Sequence, residues 1–197
     1  MPALNLSIDG NLIACVNTIE FNVLNIRIHG MRIDEHVATV EFSGGFYPEL
    51  GNSTYLLWVA ELPLKPNQLV AISFTEHGTT SHEGKTIEEM FPNDKIDEAA
   101  DFKTPPEALD ELLAMPKFRE IFSFRIVSSE NKVLDFVTEP DKDSFALSAV
   151  WNSWYPEKLS VSLHNSTFEN MINRGPINDL FKEKLLVGNS VQFELLA

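Results

Sequence analysis

The stretch from residue 4 to residue 16 reads LNLSIDGNLIACV, and it predicts a β-hairpin. Every second residue up to Ile8 is apolar, as expected for a strand with one buried face. Asp9-Gly10 is typical of a two-residue type I′ turn, in which both positions have a positive φ. We expect the returning strand to place Ile13 and Cys15 on the buried face of the first strand.

Further strand patterns follow along the chain, separated by turn residues. They cover residues 37–42, 55–60, 69–74, 118–127, 133–137, 145–151, 158–164 and 191–195. Pro66 and Asn67 lie between two of these patterns, so 55–60 and 69–74 are predicted to form a second hairpin.

Two segments show the pattern of a helix. Residues 107–115 follow a capping box formed by Thr104 and Glu107, and residues 176–186 precede Gly188, a typical C-terminal signal. Strands remain the majority. The sequence therefore predicts an α+β fold that is predominantly antiparallel β, as a sandwich or two packed sheets with a few short helices.

Residues 1–197 are expected to form a single compact domain, because this length suits one hydrophobic core. Within it, residues 53–91 and 143–181 are related at an offset of 90 residues, with Tyr55 matching Phe145. Two interpretations stay open. Either the chain contains an internal duplication whose two strand–strand–helix units cover each other, or the two segments share only a binary pattern.

The formal net charge is −14, from 15 Lys and Arg against 29 Asp and Glu. Nucleic acid and anionic membrane surfaces are therefore poor partners, since both are bound through basic faces. Residues 76–111 contain eleven acidic residues but only three lysines. This segment is predicted to form a surface that binds a basic protein partner. The alternative is a solvated face that only keeps the protein soluble.

No apolar run approaches the roughly 18 residues that cross a bilayer, and the N-terminus lacks the basic region of a secretory signal. Cys15 is the only cysteine, so no internal disulfide can form and a reducing compartment is favoured. We therefore expect a cytoplasmic protein. Nothing in the sequence determines its oligomeric state.

Motifs for catalysis and cofactors are weak. Gly84-Lys85-Thr86 lacks the glycine spacing of a phosphate-binding loop. Histidines and carboxylates cluster around His77 and His82 and again over residues 29–36, but neither cluster has a third ligand at the spacing of a zinc site. His164 ends a strand, and nothing in the local sequence marks it as a base. We predict no catalytic residue, no cofactor and no metal.

The leading hypothesis is a non-enzymatic intracellular binding protein, and its most specific form is an inhibitor of the immunity or antitoxin type. Its predicted partner-binding residues are Glu88, Glu89, Asp94, Asp97, Glu98, Asp101, Trp154 and Tyr155. One alternative is an enzyme or small-ligand binder with a site near the His77/His82 loop. Another is a sugar-binding β-sandwich, because Trp151, Trp154 and Tyr155 could stack on sugar rings.

Overall fold

The computed structural model describes residues 1–48, 50–93 and 104–196. These residues form twelve strands and three short helices. The strands are β1 (Ala3–Ile8), β2 (Asn11–Asn17), β3 (Val23–Met31), β4 (Ala38–Phe46), β5 (Thr54–Leu64), β6 (Leu69–Thr75), β7 (Ser123–Val127), β8 (Val133–Val137), β9 (Ser144–Asn152), β10 (Lys158–Ser166), β11 (Asn178–Leu186) and β12 (Asn189–Leu196). The helices are α1 (Ile87–Met90), α2 (Pro105–Ala114) and α3 (Phe168–Asn173).

The strands form two six-stranded sheets. Sheet I has the order β2-β1-β6-β12-β7-β8, and sheet II has the order β11-β10-β9-β3-β4-β5. Neighbouring strands in both sheets pair antiparallel. Apolar side chains of the two sheets pack into one cluster, with Leu6 and Phe193 from sheet I and Ile28 and Leu147 from sheet II. The predicted fold class is confirmed.

The first hairpin forms as predicted, but one of its face assignments is wrong. Asp9-Gly10 makes the turn with φ values of 52° and 79°. Leu6 pairs with Ala14, but the next residue, Ser7, pairs with Leu12, so Ile13 is the extra residue of a bulge. Ile13 is partly buried against the core. Cys15 lies on the opposite face from Ala14. The physical reason is that a bulge inserts one residue and shifts the alternation by one.

The predicted second hairpin is wrong, because its two strands belong to different sheets. β5 is the edge strand of sheet II, whereas β6 lies between β1 and β12 in sheet I. Asn67 does make the turn, with φ 65°, and its backbone N–H donates to Leu195 O at 2.7 Å. In contrast, β9 and β10 pair directly within sheet II. The duplication of 53–91 in 143–181 is therefore not confirmed.

The predicted helix over 176–186 is also wrong, since Asn178–Leu186 is strand β11. Phe181 pairs with Leu163, and Leu185 pairs with Leu159. The two buried residues of β11 are four positions apart, a spacing that places them on one face of either a helix or a strand. Pairing along β10 decides in favour of the strand.

Helix α2 confirms the helix predicted over 107–115. Neither α1 nor α2 contains a buried residue, so both lie on the surface of the sheets. α3 contains the fully buried Phe168 and packs against α2. Among the described helices, none is long and apolar enough to cross a membrane.

Candidate functional site

The predicted partner-binding residues fall in three places. Glu88 and Glu89 lie in the first turn of α1, which contacts the edge strand β5. Trp154 and Tyr155 lie in the turn between β9 and β10, separated from β5 by β3 and β4. Four further predicted residues lie outside the described part of the chain: Asp94, Asp97, Glu98 and Asp101.

The described end of the acidic region combines charge with exposed apolar side chains. It comprises α2 and the residues that follow it, over 104–121, and we call it the acidic–apolar surface. Four large apolar side chains are between 40% and 58% exposed, namely Leu113, Met115, Phe118 and Ile121. Acidic residues lie among them in the sequence, namely Glu107, Asp110, Glu111 and Glu120.

The two basic residues of the acidic–apolar surface are bound to the body of the protein. Lys117 Nζ donates to Asp143 Oδ1 at 3.0 Å, and the Asp143 side chain is buried. The Arg119 guanidinium donates to the backbone oxygens of Met31 at 2.7 Å and Glu35 at 3.2 Å. Both positive groups thus hold this segment to the sheets, and Glu120 likewise pairs with Arg32 at 2.9 Å. The acidic residues of α2, Glu107, Asp110 and Glu111, remain exposed to solvent.

The aromatic residues of the β9–β10 turn have different environments. Trp151 is buried, and its Nε1 donates to Pro156 O at 3.1 Å, so it belongs to the core. Trp154 is 87% exposed, and Tyr155 is half-exposed. Trp154 borders a cleft of about 380 Å³, which is also lined by Phe46, Tyr47 and Pro48. Two aromatic clusters that are distant in sequence therefore meet at this end of sheet II.

Trp154 and the acidic–apolar surface lie at opposite ends of β3. Val23, at the start of β3, pairs with Asn152, next to the Trp154 turn. Beyond the other end of β3, Arg32 O accepts a hydrogen bond from Phe118 N at 2.8 Å. A strand of this length spans roughly 30 Å. The structure thus separates the predicted aromatic residues from the described acidic helix α2.

Both histidines of the 77–82 loop have local partners. His77 Nδ1 lies 2.9 Å from the N-terminal nitrogen of Met1, and His82 Nε2 lies 3.0 Å from Trp58 O. Ser81 N donates to Cys15 O at 2.9 Å, which fastens the loop to β2. The loop therefore covers the edge strand of sheet I and does not direct its two imidazoles toward a shared cleft.

A different pair of histidines does share a cleft. His29 pairs with Ala146, and Ala146 pairs with His164, so the three residues form a row across β3, β9 and β10. Adjacent residues such as Ile28 and Leu147 face the core. Because side chains alternate along a strand, the row lies on the outer face of sheet II. It forms the floor of a cleft of about 440 Å³, which we call the histidine cleft.

His29 lies on β3 and His164 lies on β10, with β9 between the two strands. The backbones of the two histidines are therefore roughly 10 Å apart. Ala146 lies between them and contributes only a methyl group. Thr39, directly opposite His29 on β4, has its Oγ1 3.2 Å from His29 Nε2. The narrow side chain of Ala146 therefore leaves open the space between two imidazoles, one of which is oriented by a hydroxyl group.

Burial lowers the pKa of both His29 and His164 below the ordinary value, and the positive charge of Arg27 lowers each further. Opposing effects come from carboxylates on neighbouring elements: Asp34, Glu41 and Glu61 for His29, and Asp179 for His164. Arg27 thus lowers the pKa of the histidines at both ends of the row, although it lies on the same strand as only one of them. The free cleft thus favours neutral imidazoles beside a fixed positive charge.

Helix α3 and the turn after it form one wall of the histidine cleft. The helix ends at Arg174, which has the left-handed values φ 52° and ψ 40°. Gly175 N donates to Asn170 O at 2.8 Å, and a Cβ on Gly175 would lie 2.5 Å from Asn170 Oδ1. This close return of the chain brings Arg174 and Ile177 to the cleft.

Sequence reasoning missed the histidine cleft. A local signal existed on β3, where the polar residues Arg27 and His29 alternate with buried isoleucines. No local signal connected them to Ala146 or His164, which are more than 100 residues away. Only the register of three adjacent strands brings the row together.

Within the described ranges, no three His, Cys, Asp or Glu side chains are grouped so that they could hold a metal ion. The histidine cleft therefore offers imidazole and guanidinium groups without a carboxylate cluster.

No family model matches the chain, and neither a curated protein nor a solved structure is significantly similar to it.

Proposed function

We propose that this chain is a non-enzymatic binding protein that recognises a basic protein through its acidic–apolar surface. The observation that carries the proposal is the exposure of four large apolar side chains within an acidic segment. Protein interfaces combine an apolar centre with a polar rim. An inhibitor of the immunity or antitoxin type is the most specific form of this proposal.

The electrostatic argument supports a basic partner. The chain carries a net charge of −14, and Lys117 and Arg119 of this surface are engaged by Asp143 and by backbone oxygens. An acidic surface accelerates encounter with a basic protein and repels acidic competitors. Glu88, Glu89 and the acidic residues at 94, 97, 98 and 101 would extend the same charge along the chain.

Under this proposal, the charged and the apolar residues of the surface have distinct kinetic roles. Charged residues at the rim act mainly on the association rate, whereas apolar anchors act on the dissociation rate. The double reversal Asp110→Lys/Glu111→Lys tests the first role, and Phe118→Ala tests the second. Both sites are exposed, so each change should alter the unfolding free energy by about 0.5 kcal/mol or less.

The experiment captures proteins from the native cell lysate with the tagged chain, at low and high salt, and then measures rates with each purified basic protein. Reversing Asp110 and Glu111 should slow association and reduce its salt dependence. A matched control, Glu130→Lys/Glu157→Lys, changes the net charge equally at distant exposed sites and should retain fast association. Capture that is equal for all variants would contradict the proposal.

The sequence-based part of the surface has its own test. Reversing Glu98 and Asp101 to Lys should slow association with the same partner if the surface extends through these residues. An unchanged association rate at low salt would limit the binding surface to the described residues.

A second candidate function is sugar binding at the aromatic cleft, because Trp154 is 87% exposed beside Phe46 and Tyr47. Aromatic rings stack on the apolar faces of sugars. Titration with neutral disaccharides should then change the fluorescence of the wild-type protein, and Trp154→Ala should abolish the change. Equal responses of the two proteins would reject this candidate.

A further inference from the structure

The histidine cleft is a cationic site on an acidic molecule. Arg27, Arg174 and two imidazoles line it, and among its described lining residues there is no Asp or Glu. The chain as a whole contains nearly twice as many acidic as basic residues. The net charge of the chain would favour an acidic cleft, but the described lining is basic.

The two arginines of the histidine cleft are available as donors. Within the described part of the chain, neither Arg27 nor Arg174 forms a salt bridge or a hydrogen bond with another side chain. A guanidinium presents several N–H donors in a planar array that suits the oxygens of carboxylates, sulfates and phosphates. Arg27 reaches the cleft from β3, and Arg174 reaches it from the turn after α3.

The remainder of the histidine cleft is apolar. Ala146 forms its floor, and Met31, Met171 and Ile177 contribute to its walls. A cavity of about 440 Å³ lies within the range of roughly 300–1,000 Å³ that small-molecule sites occupy. The combination of donors and apolar walls matches a ligand with a charged head and a hydrophobic body.

We propose that the histidine cleft binds a small organic anion, with its oxyanion head over Ala146 and its apolar body against Met31, Met171 and Ile177. The guanidinium groups of Arg27 and Arg174 and the flanking rings of His29 and His164 donate to the oxygens of the head. This inference goes beyond the proposed function, since none of these residues belongs to the acidic–apolar surface. Success or failure of one proposal therefore leaves the other open to its own test.

The direct test uses phenyl sulfate, whose charge does not change between about pH 5.5 and pH 8, with benzyl alcohol as a neutral counterpart of similar shape. Binding is followed by NMR of the full chain with labelled histidine and methionine side chains. Phenyl sulfate should perturb His29, His164 and Met171 in a saturable manner, and benzyl alcohol should not. Absence of saturable perturbation by phenyl sulfate overturns the proposal.

Two variants test the geometry of the histidine cleft. Arg174→Gly removes one donor at a position whose left-handed backbone suits glycine, so folding should be retained while affinity falls at least about tenfold. Ala146→Leu keeps every charge and fills the floor, and it should reduce affinity to a similar extent. Lys132→Ala changes a lysine in the turn between β7 and β8 that pairs with Glu130 and does not line the cleft. It is the charge-matched control and should bind as the wild type does.

The pH dependence supplies an independent readout. An anion beside the rings favours protonated imidazoles, so affinity for phenyl sulfate should rise as the pH falls from about 8 to about 5.5. The charged groups that act on these rings are Arg27, Asp34, Glu41, Glu61 and Asp179, and Arg174 lines the same cleft. Affinity that is independent of pH in the wild type, or unaffected by both Arg174→Gly and Ala146→Leu, overturns the proposal.

Discussion

Among single residues, Asp143 joins three separate segments through one buried carboxylate. Its Oδ1 accepts from Lys117 Nζ at 3.0 Å and lies 4.0 Å from Arg32 Nη1, while its Oδ2 accepts from Phe168 N at 3.0 Å. These partners belong to the segment after α2, to the β3–β4 turn and to the start of α3. The carboxylate thus fixes the elements that border the acidic–apolar surface.

Asp143→Asn should lower the unfolding free energy by about 3 kcal/mol, because it leaves two positive groups without their buried counter-charge. Urea unfolding monitored by circular dichroism measures the effect. The neighbouring variant Asp141→Asn removes the exposed partner of Lys142 and should leave the unfolding free energy close to that of the wild type. Equal losses for the two variants would refute the structural role of Asp143.

The two cleft histidines should make the protein sensitive to acid. Burial, and then Arg27, hold the pKa of His29 and His164 below the ordinary value. Around pH 6.5 the unfolded chain therefore binds more protons than the folded protein, so the unfolding free energy falls as the pH drops through this value. His29→Gln/His164→Gln should flatten this dependence in urea titrations at about pH 8, 6.5 and 5.5.

The exposed His36 provides the control for this pH effect. His36→Gln should leave the pH dependence as it is in the wild type. If the double variant instead loses stability with acid as steeply as the wild type, other groups account for the sensitivity.

Among the elements, the surface helix α2 depends on its cap. Thr104 N and Oγ1 both donate to Glu107 Oε2, at 2.8 Å and 2.7 Å, and no residue of the helix is buried. A helix whose side chains are at most partly buried obtains less stability from tertiary packing than one with a fully buried face. Its local stability therefore rests on the interactions of its first turn.

Thr104→Ala should destabilise α2 locally by about 1 kcal/mol and accelerate hydrogen exchange over 107–114, with little change in global unfolding. Thr167→Ala is the matched comparison, since Thr167 Oγ1 accepts from Asn170 N at 3.1 Å in α3, which buries Phe168. This second variant should lower the global unfolding free energy. A global loss for Thr104→Ala as large as that for Thr167→Ala would contradict the distinction.

The whole molecule carries enough like charge for self-repulsion to oppose folding. With a net charge of −14, raising NaCl from about 10 mM to about 200 mM should raise the Tm, because salt screens the repulsion. Each kcal/mol corresponds to about 2–4 °C for a chain of this size. Near the sequence pI of about 4.7 the salt effect should disappear. A Tm that falls with salt at neutral pH would contradict this account.

The sequence by itself determined the local features of this protein. The alternation and the Asp9-Gly10 dipeptide specified the first hairpin, the Thr104 cap specified the start of α2, and the strand majority specified the fold class. These features depend on backbone conformation and on periodicity within a few residues, which neighbouring residues encode. The net charge likewise follows from composition alone.

Only the tertiary structure decided which strands meet. Phe181 and Leu185 fit a helix and a strand equally well, and pairing with β10 selected the strand. The turn at Asn67 was recognisable, but β6 found its partners in the other sheet. The histidine cleft arose in the same way, since register across β3, β9 and β10 brought His29 and His164 to either side of Ala146. Partner choice between strands is a non-local competition for burial and backbone hydrogen bonds, and a local pattern does not contain its outcome.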